Sequence, residues 1–268
     1  MRRELIEELG VEIASGAPLI RVPQRQPRRL LWLDAIEVRD WRGEPRALEA
    51  QALRWLAPAD IDPNALPAAD RPILACLRQP AHYWISPEAV AKPALMEAWF
   101  AAAMAAGARR LQLRVPSLDS EARAALARLA AERAQALGIE LLLNARGPED
   151  LELARALGCG AQLSRTLLMR LDQRPQLPCI GASCHDPVSL RRAESLGCDF
   201  ALLSPVLPTL SHPEAQPLGW SGFTTLRAGT SLPVYALGGV GPADLVAARA
   251  AGAQGVAGIR GFFPDADE

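Results

Sequence analysis

Residues 139–164 read IELLLNARGPEDLELARALGCGAQLS. The run at 139–144 is short, mostly apolar and rich in Leu, which suits a strand buried on both faces. Pro148 follows after a turn and fits the first turn of a helix, where its missing N–H costs nothing. Acids at Glu149 and Asp150 suit the positive end of that helix, and Leu157-Gly158 reads as its stop. A second apolar run, 160–164, begins at once, so these 26 residues predict one strand, one helix and the start of the next strand.

The same unit repeats in both directions. Strands are expected at 82–86, 110–115, 139–144, 160–164, 179–184, 199–205, 233–239 and 255–261. Helical runs lie between them at 87–107, 120–138, 148–158, 187–197 and 241–252. Eight units in about 190 residues close a compact (β/α)8 TIM barrel, and no GxGxxG follows the first strand to favour an open doubly wound sheet. The expected architecture is therefore α/β, with a barrel over 81–268. The texture before it differs: residues 1–78 carry Trp32, Trp41 and Trp55, several Pro-bounded segments and one convincing helix, and the stretch 76–80 reads as a linker.

The chain has 268 residues, half of them hydrophobic and 22% charged, which excludes a disordered or low-complexity protein. Lys plus Arg number 29 against 30 for Asp plus Glu. This balance gives no electrostatic basis for a duplex nucleic-acid surface or for membrane adsorption, so an anionic partner must be held locally. No apolar stretch approaches a membrane span, and the first residues lack a secretory pattern. Cys76, Cys159, Cys179, Cys184 and Cys198 form no CxxC pair and sit in apolar surroundings, as reduced core residues would. A cytoplasmic location is the expectation.

Ligands of such barrels sit at the C-terminal ends of the strands, with phosphate commonly held by the last two loops. Here those loops read ALGGVGPADL and VAGIRGF. Gly238, Gly239 and Gly258 let backbone amides approach an anion, and Arg260 adds a guanidinium. The plainer reading, that strand-to-helix turns need glycine whatever they bind, accounts for neither the pairing of the loops nor the Arg.

Taken in order, HYWISP (82–87), LQLRVPS (111–117), LLLNARGPEDLELA (141–154), IGASCHD (180–186), LLSPVLPTLSHPEAQPLG (202–219), PVYALGGV (233–240) and GAQGVAGIRG (252–261) resemble the thiamine-phosphate synthase and TenI barrels. The resemblance spans 81–263. It implies Gln112, Arg114, Asn144 and Ser183 as ligand-binding residues, with Thr209, Ser211 and His212 able to hydrogen-bond a phosphate. It also exposes departures. The family's two metal aspartates align with Ala145 and, approximately, Leu167; a basic position aligns with Pro116; a loop lysine is replaced by His212. The histidine that serves the TenI tautomerases as acid and base aligns with Pro205. His185 and His212 remain as loop histidines able to take that role. The resemblance therefore implies a barrel that binds a phosphorylated small molecule, thiazole phosphate-like or a nucleotide. No cofactor is required, and metal-dependent synthase activity is not expected. Thiamine-phosphate synthesis, thiazole tautomerisation and a non-catalytic sensor or scaffold are the alternatives.

On a helix opening the chain, Glu4, Glu7 and Glu8 fall at i, i+3 and i+4, which puts three carboxylates on one face. An ordinary solvated helix with Arg3 and Glu7 paired explains the same pattern. Arg3-Glu4-Leu5-x-Glu7-Glu8-x-Gly10-Val11 is similar to the second half of a Nudix box. LLWLDAIEV (30–38), WRGEP (41–45), Glu49, Gln51, Trp55 and LPAADRPIL (66–74) resemble the segments downstream of that box in MutT-type Nudix hydrolases. That resemblance implies a partial α+β Nudix domain over 1–78. Glu4, Glu7, Glu8 and Glu49 would be its Mg²⁺ ligands, Glu7 and Glu8 its catalytic residues, and hydrolysis of a nucleoside triphosphate of the 8-oxo-dGTP type its activity. Asp70 stands where oxidised-guanine-selecting members carry an Asn. Nothing precedes Met1 to supply the first half of the box, which points to a shortened form of a longer fusion. Strands near 31–38 and 53–56 would then lack partners, so homo-oligomerisation through this segment is a further expectation.

Overall fold

The computed structural model of the chain describes residues 2–26, 29–49, 51–209 and 214–263. The chain divides into two compact units, Met1–Arg78 and Gln79–Glu268.

The first unit opens with helix α1 (Arg2–Leu9), which stops at Gly10 in the left-handed conformation. A long antiparallel hairpin follows, β1 (Glu12–Gln26) and β2 (Arg29–Arg42), and then helix α2 (Arg71–Arg78). Leu19, Ile20, Val22 and Cys76 are buried together, with Leu33, Ala35 and Ile73 against them. Strict alternation would send Leu19 and Ile20 to opposite faces. A register shift between Pro18 and Ile20 lets both turn inward. The expected strand at 53–56 is absent: residues 51–57 form no strand, and Trp55, 77% exposed, stacks on Trp41 with ring centroids 6.0 Å apart. The partner of β2 is β1, whose Gly16, Pro18 and bulges hide the period-2 pattern from a sequence reading.

The second unit is a (β/α)8 barrel. Eight parallel strands close in the order β10-β3-β4-β5-β6-β7-β8-β9. They are β3 (His82–Ile85), β4 (Arg110–Leu113), β5 (Glu140–Ala145), β6 (Gly160–Leu163), β7 (Ile180–Cys184), β8 (Phe200–Leu203), β9 (Val234–Leu237) and β10 (Gly255–Gly258). The surrounding helices are α3 (Pro93–Ala105), α4 (Ser120–Leu137), α5 (Pro148–Ala156), α6 (Arg165–Arg170), α7 (Pro187–Leu196), α8 (Gly219–Arg227) and α9 (Leu245–Ala250). Asp119 caps α4 by accepting from Ala122 N, and Asp186 caps α7 by accepting from Ser189 N. The helical run expected at 87–107 is broken by Pro93 into a 3-10 turn, Glu88–Ala91, and α3. The run expected at 241–252 is likewise a 3-10 turn, Pro242–Asp244, leading into α9.

Two apolar layers hold the barrel. Between strands and helices lies the large outer core, which includes Trp99, Phe100, Leu111, Leu163 and Phe223. Inside the strands a smaller lumen core holds Tyr83, Ile85, Leu142, Cys179, Phe200, Leu202, Tyr235 and Ala257. Tyr83, Phe200 and Tyr235 meet with centroids 5.3 to 5.9 Å apart and fill the lumen.

Candidate active site

Strand β4 shows how polar groups reach the lumen. Leu111 and Leu113 face the outer core, so period-2 alternation sends Arg110, Gln112 and, just beyond the strand, Arg114 inward. Arg110 is buried. Its guanidinium lies over the Phe200 ring at 4.7 Å, meets Glu140 at 2.6 Å and donates to Gln79. Gln112 sits one step higher and donates to Asn144 of β5 at 3.3 Å. Gln112 is 2% exposed, and its carbonyl oxygen has no hydrogen-bond partner among the described residues. Buried polar atoms are rarely left so, and this one borders a cavity.

That cavity, about 470 Å³, opens at the C-terminal ends of the strands. Gln112, Arg114, Asn144 and Ser183 contribute to its strand-borne wall, with His185 at the end of β7. Thr209, Gly238, Gly239 and Arg260 line it from the loops after β8, β9 and β10, and Gly258 from the end of β10. Ser211 and His212 lie outside the described residues. Apolar walls come from Ile85, Leu202, Leu237 and Ile259.

Gly238 and Gly239 have φ of +92° and +68°, a region L side chains rarely adopt. The loop after β8 also leaves no room for a Cβ, which at Gly238 would lie 2.8 Å from Pro205 Cα; Val206 N donates to Leu237 O and Leu207 N to Gly238 O, both at 2.9 Å. His185 points Nδ1 at the carbonyl oxygen of Ser204, 2.8 Å away. A carbonyl only accepts, so Nδ1 carries a proton toward it. Ser204, which also lines the cavity beside Pro205, was missed as a site residue, although the SPVLP run directly precedes the loop singled out for phosphate contacts.

The described cavity lining contains no Asp or Glu. Ala145 and Leu167, which stand at the metal positions implied by the resemblance, are buried and offer no donor atom. Among the described residues no three His, Cys, Asp or Glu side chains come close enough to hold a metal ion. The described lining therefore offers no carboxylate to hold Mg²⁺.

The same test corrects the expectation for α1. Glu4, Glu7 and Glu8 are all exposed, and Glu7 pairs with Arg3 at 3.5 Å, the solvated-helix pattern. Leu48 and Gln51 reach the end of α1: Leu48 N and Gln51 Nε2 both donate to Glu8 O, at 3.0 and 2.9 Å. Glu49 is thereby brought near the helix end but stays exposed, and the four carboxylates do not form a metal cluster. Asp70 stands immediately before α2.

Residues 82–262 match the family described as thiamine monophosphate synthase (TMP-TENI). The chain belongs to that family. The thiamine-phosphate synthase of Chromobacterium violaceum is 32% identical over 191 residues, which cover 69% of this chain and 89% of that protein. The thiamine biosynthesis bifunctional protein ThiM/ThiE of Symbiobacterium thermophilum is 30% identical over 226 residues, 82% of this chain. The alignment spans 45% of that protein, so relatives of this barrel also occur within much longer chains. Thiamine phosphate pyrophosphorylase from Pyrococcus furiosus shares the fold, with a TM-score of 0.54 and 22% identity over 67% of this chain and 85% of that one. No helix among the described residues is long and apolar enough to cross a membrane.

Proposed function

We propose that the barrel is a thiamine-phosphate synthase-type site, joining an aminopyrimidine diphosphate to a thiazole phosphate. The observation that carries this reading is the composition of one cavity: a Gly-rich cationic rim at Gly238, Gly239, Gly258 and Arg260 beside amide side chains on the strands. A phosphate ester fits the rim, where backbone amides and a guanidinium meet its charge. The unpartnered oxygen of Gln112 calls for a donor, which an exocyclic amine on a flat heterocycle supplies. In the reaction a C–N bond forms as the C–O bond to the diphosphate breaks, and pyrophosphate leaves with the electron pair. Arg114, Arg260 and the loop amides line the cavity and can meet that charge.

The test is direct. The chain is incubated with both substrates, with and without EDTA, and thiamine phosphate is measured; calorimetry follows each ligand separately. Expected are binding of thiazole phosphate and of inorganic pyrophosphate that EDTA leaves unchanged, and product formation that survives EDTA. Absence of binding by either ligand overturns the reading, and product abolished by EDTA overturns the assignment of the charge to arginines.

A further inference from the structure

Below the cavity, one side chain links its wall to the aromatic layer. Gln162, on β6, is fully buried. Its Oε1 lies 3.3 Å from the Tyr83 hydroxyl, and its Nε2 lies 3.1 Å from Ser183 Oγ, on the cavity wall. Two hydrogen-bond senses satisfy these distances. In one, Tyr83 donates to the amide oxygen and the amide nitrogen donates to Ser183. In the other the amide is turned over, so that Ser183 donates to it and the nitrogen donates to the Tyr83 oxygen.

The surroundings choose between them. Tyr83 is completely buried, packed against Phe200 and Tyr235, and burial pushes its phenol well above the usual range, so it stays protonated. Its O–H needs an acceptor. The amide oxygen of Gln162 is the acceptor at hand, and turning the amide over leaves a buried donor without one. The first sense therefore holds, and the nitrogen of Gln162 occupies a lone pair of Ser183 Oγ. The Ser183 proton then has no role toward Gln162 and can be donated to a group bound in the cavity that Ser183 lines.

We propose that Gln162, oriented by Tyr83, is a positioning residue that makes Ser183 an obligate hydrogen-bond donor to the bound anion. This rests on the reading of the cavity as a phosphate or pyrophosphate site. A donor suits a fully ionised oxygen, which can only accept, and disfavours a ligand that presents a donor at that spot. The local sequence is built around this arrangement. Gly181, two residues before Ser183 on the same strand face, has no Cβ because one would overlap Gln162 Oε1 and sit 2.5 Å from Phe200 Cζ. Any larger residue there would displace the amide that sets the serine.

The test is a double-mutant cycle with inorganic pyrophosphate as the probe, read by calorimetry on the full chain. Gln162→Leu and Ser183→Ala should each weaken binding about tenfold, the loss of one charge-assisted hydrogen bond. The double variant should be no weaker than Ser183→Ala alone, because Gln162 acts only through the serine. Tyr83→Phe, which frees the amide to turn over, should fall between wild type and Gln162→Leu. Losses that multiply in the double variant, or a Gln162→Leu protein that binds as wild type, overturn the proposal. A second readout needs no ligand: the side-chain NH₂ signals of Gln162 should be protected from exchange with D₂O and should move in Ser183→Ala. Unprotected or unmoved signals refute the relay itself. Wild-type protein that binds no pyrophosphate while those signals behave as expected instead refutes the anion-site reading, and with it the role of Ser183 toward a ligand.

Discussion

Gly107 and Gly239 share almost the same backbone conformation, φ +67° and +68°, in opposite surroundings. Around Gly107, past the end of α3, an added Cβ would meet no heavy atom within 4 Å. At Gly239 it would collide with the carbonyl oxygen of Pro208 and lie 2.8 Å from Leu207 Cβ. Substitution by Ala at either site incurs the left-handed cost, about 1 to 2 kcal/mol. Only at Gly239 must the backbone of residues 207–208 also retreat, by roughly half an ångström, which stretches a hydrogen bond of about 2.9 Å to the edge of its useful range. Pro208 and Thr209 line the cavity, so one charge-assisted contact to an anion is lost, about 1.5 to 3 kcal/mol or roughly 10- to 100-fold in affinity. Calorimetric titration of both variants with inorganic pyrophosphate separates the two effects, and thermal denaturation reports the shared strain. Gly107→Ala should bind as wild type while losing stability; Gly239→Ala should lose both. Equal binding losses, or none at Gly239→Ala, would refute the claim that this loop holds the anion.

Arg260→Ala should weaken pyrophosphate binding by about 1.5 to 3 kcal/mol in the same titration, and unchanged affinity would remove the guanidinium from the site. Deeper in the lumen, Glu140→Ala should destabilise the barrel by about 2 to 4 kcal/mol in denaturant, because it leaves the buried Arg110 cation without its carboxylate. Arg110→Met should cost less, since Glu140 is 37% exposed and returns to water; the reverse order would show that the cation over Phe200 matters more than its pairing. Burial, with the nearby Arg249 cation, lowers the His82 pKa, so the unfolded chain binds the extra proton first. Stability should therefore fall as pH drops below about 6.5, and His82→Phe should flatten that limb of the curve; an unchanged limb would assign it to other groups.

The barrel was legible because its signals are local and repeated. An apolar run, a Pro or capping residue, an Ala-rich stretch and an LG or AG stop recur along the chain, and each requires only a few adjacent residues to recognise. The elements missed lack such signals. Helix α6 has six residues, and α8, GWSGFTTLR, carries two glycines and two threonines; Phe223 is fully buried among its neighbours, so packing supports the helix where propensity does not. Most loop and strand residues of the cavity were legible one at a time. What could not be read was which of them touch. Gln162 acts on Ser183 across 21 positions of sequence, and Tyr83 on Gln162 across 79, through a lumen that exists only once the strands have closed. The acids of α1 illustrate the converse. Their spacing is real, but a metal site needs other elements to gather around one face, and a helical period says nothing about that.

The chain as a whole carries a formal charge of -1, so attraction of an anion must come from where charges sit and not from their sum. Arg110 contributes little to that field, since Glu140 lies 2.6 Å from its guanidinium and the two form a local dipole within the lumen. Arg114 and Arg260 both line the cavity. Between the lumen and the rim the polar positions are amides and a hydroxyl, Gln112, Asn144, Gln162 and Ser183, which orient hydrogen bonds without adding charge. Charge in the lining thus comes from Arg114 on the strand wall and Arg260 beside the glycine loops, and the amides and hydroxyl recognise shape and hydrogen-bonding pattern. A ligand of the proposed kind, anionic at one end and a flat heterocycle bearing a donor at the other, would meet the Arg260 rim and the unpartnered oxygen of Gln112 within one cavity.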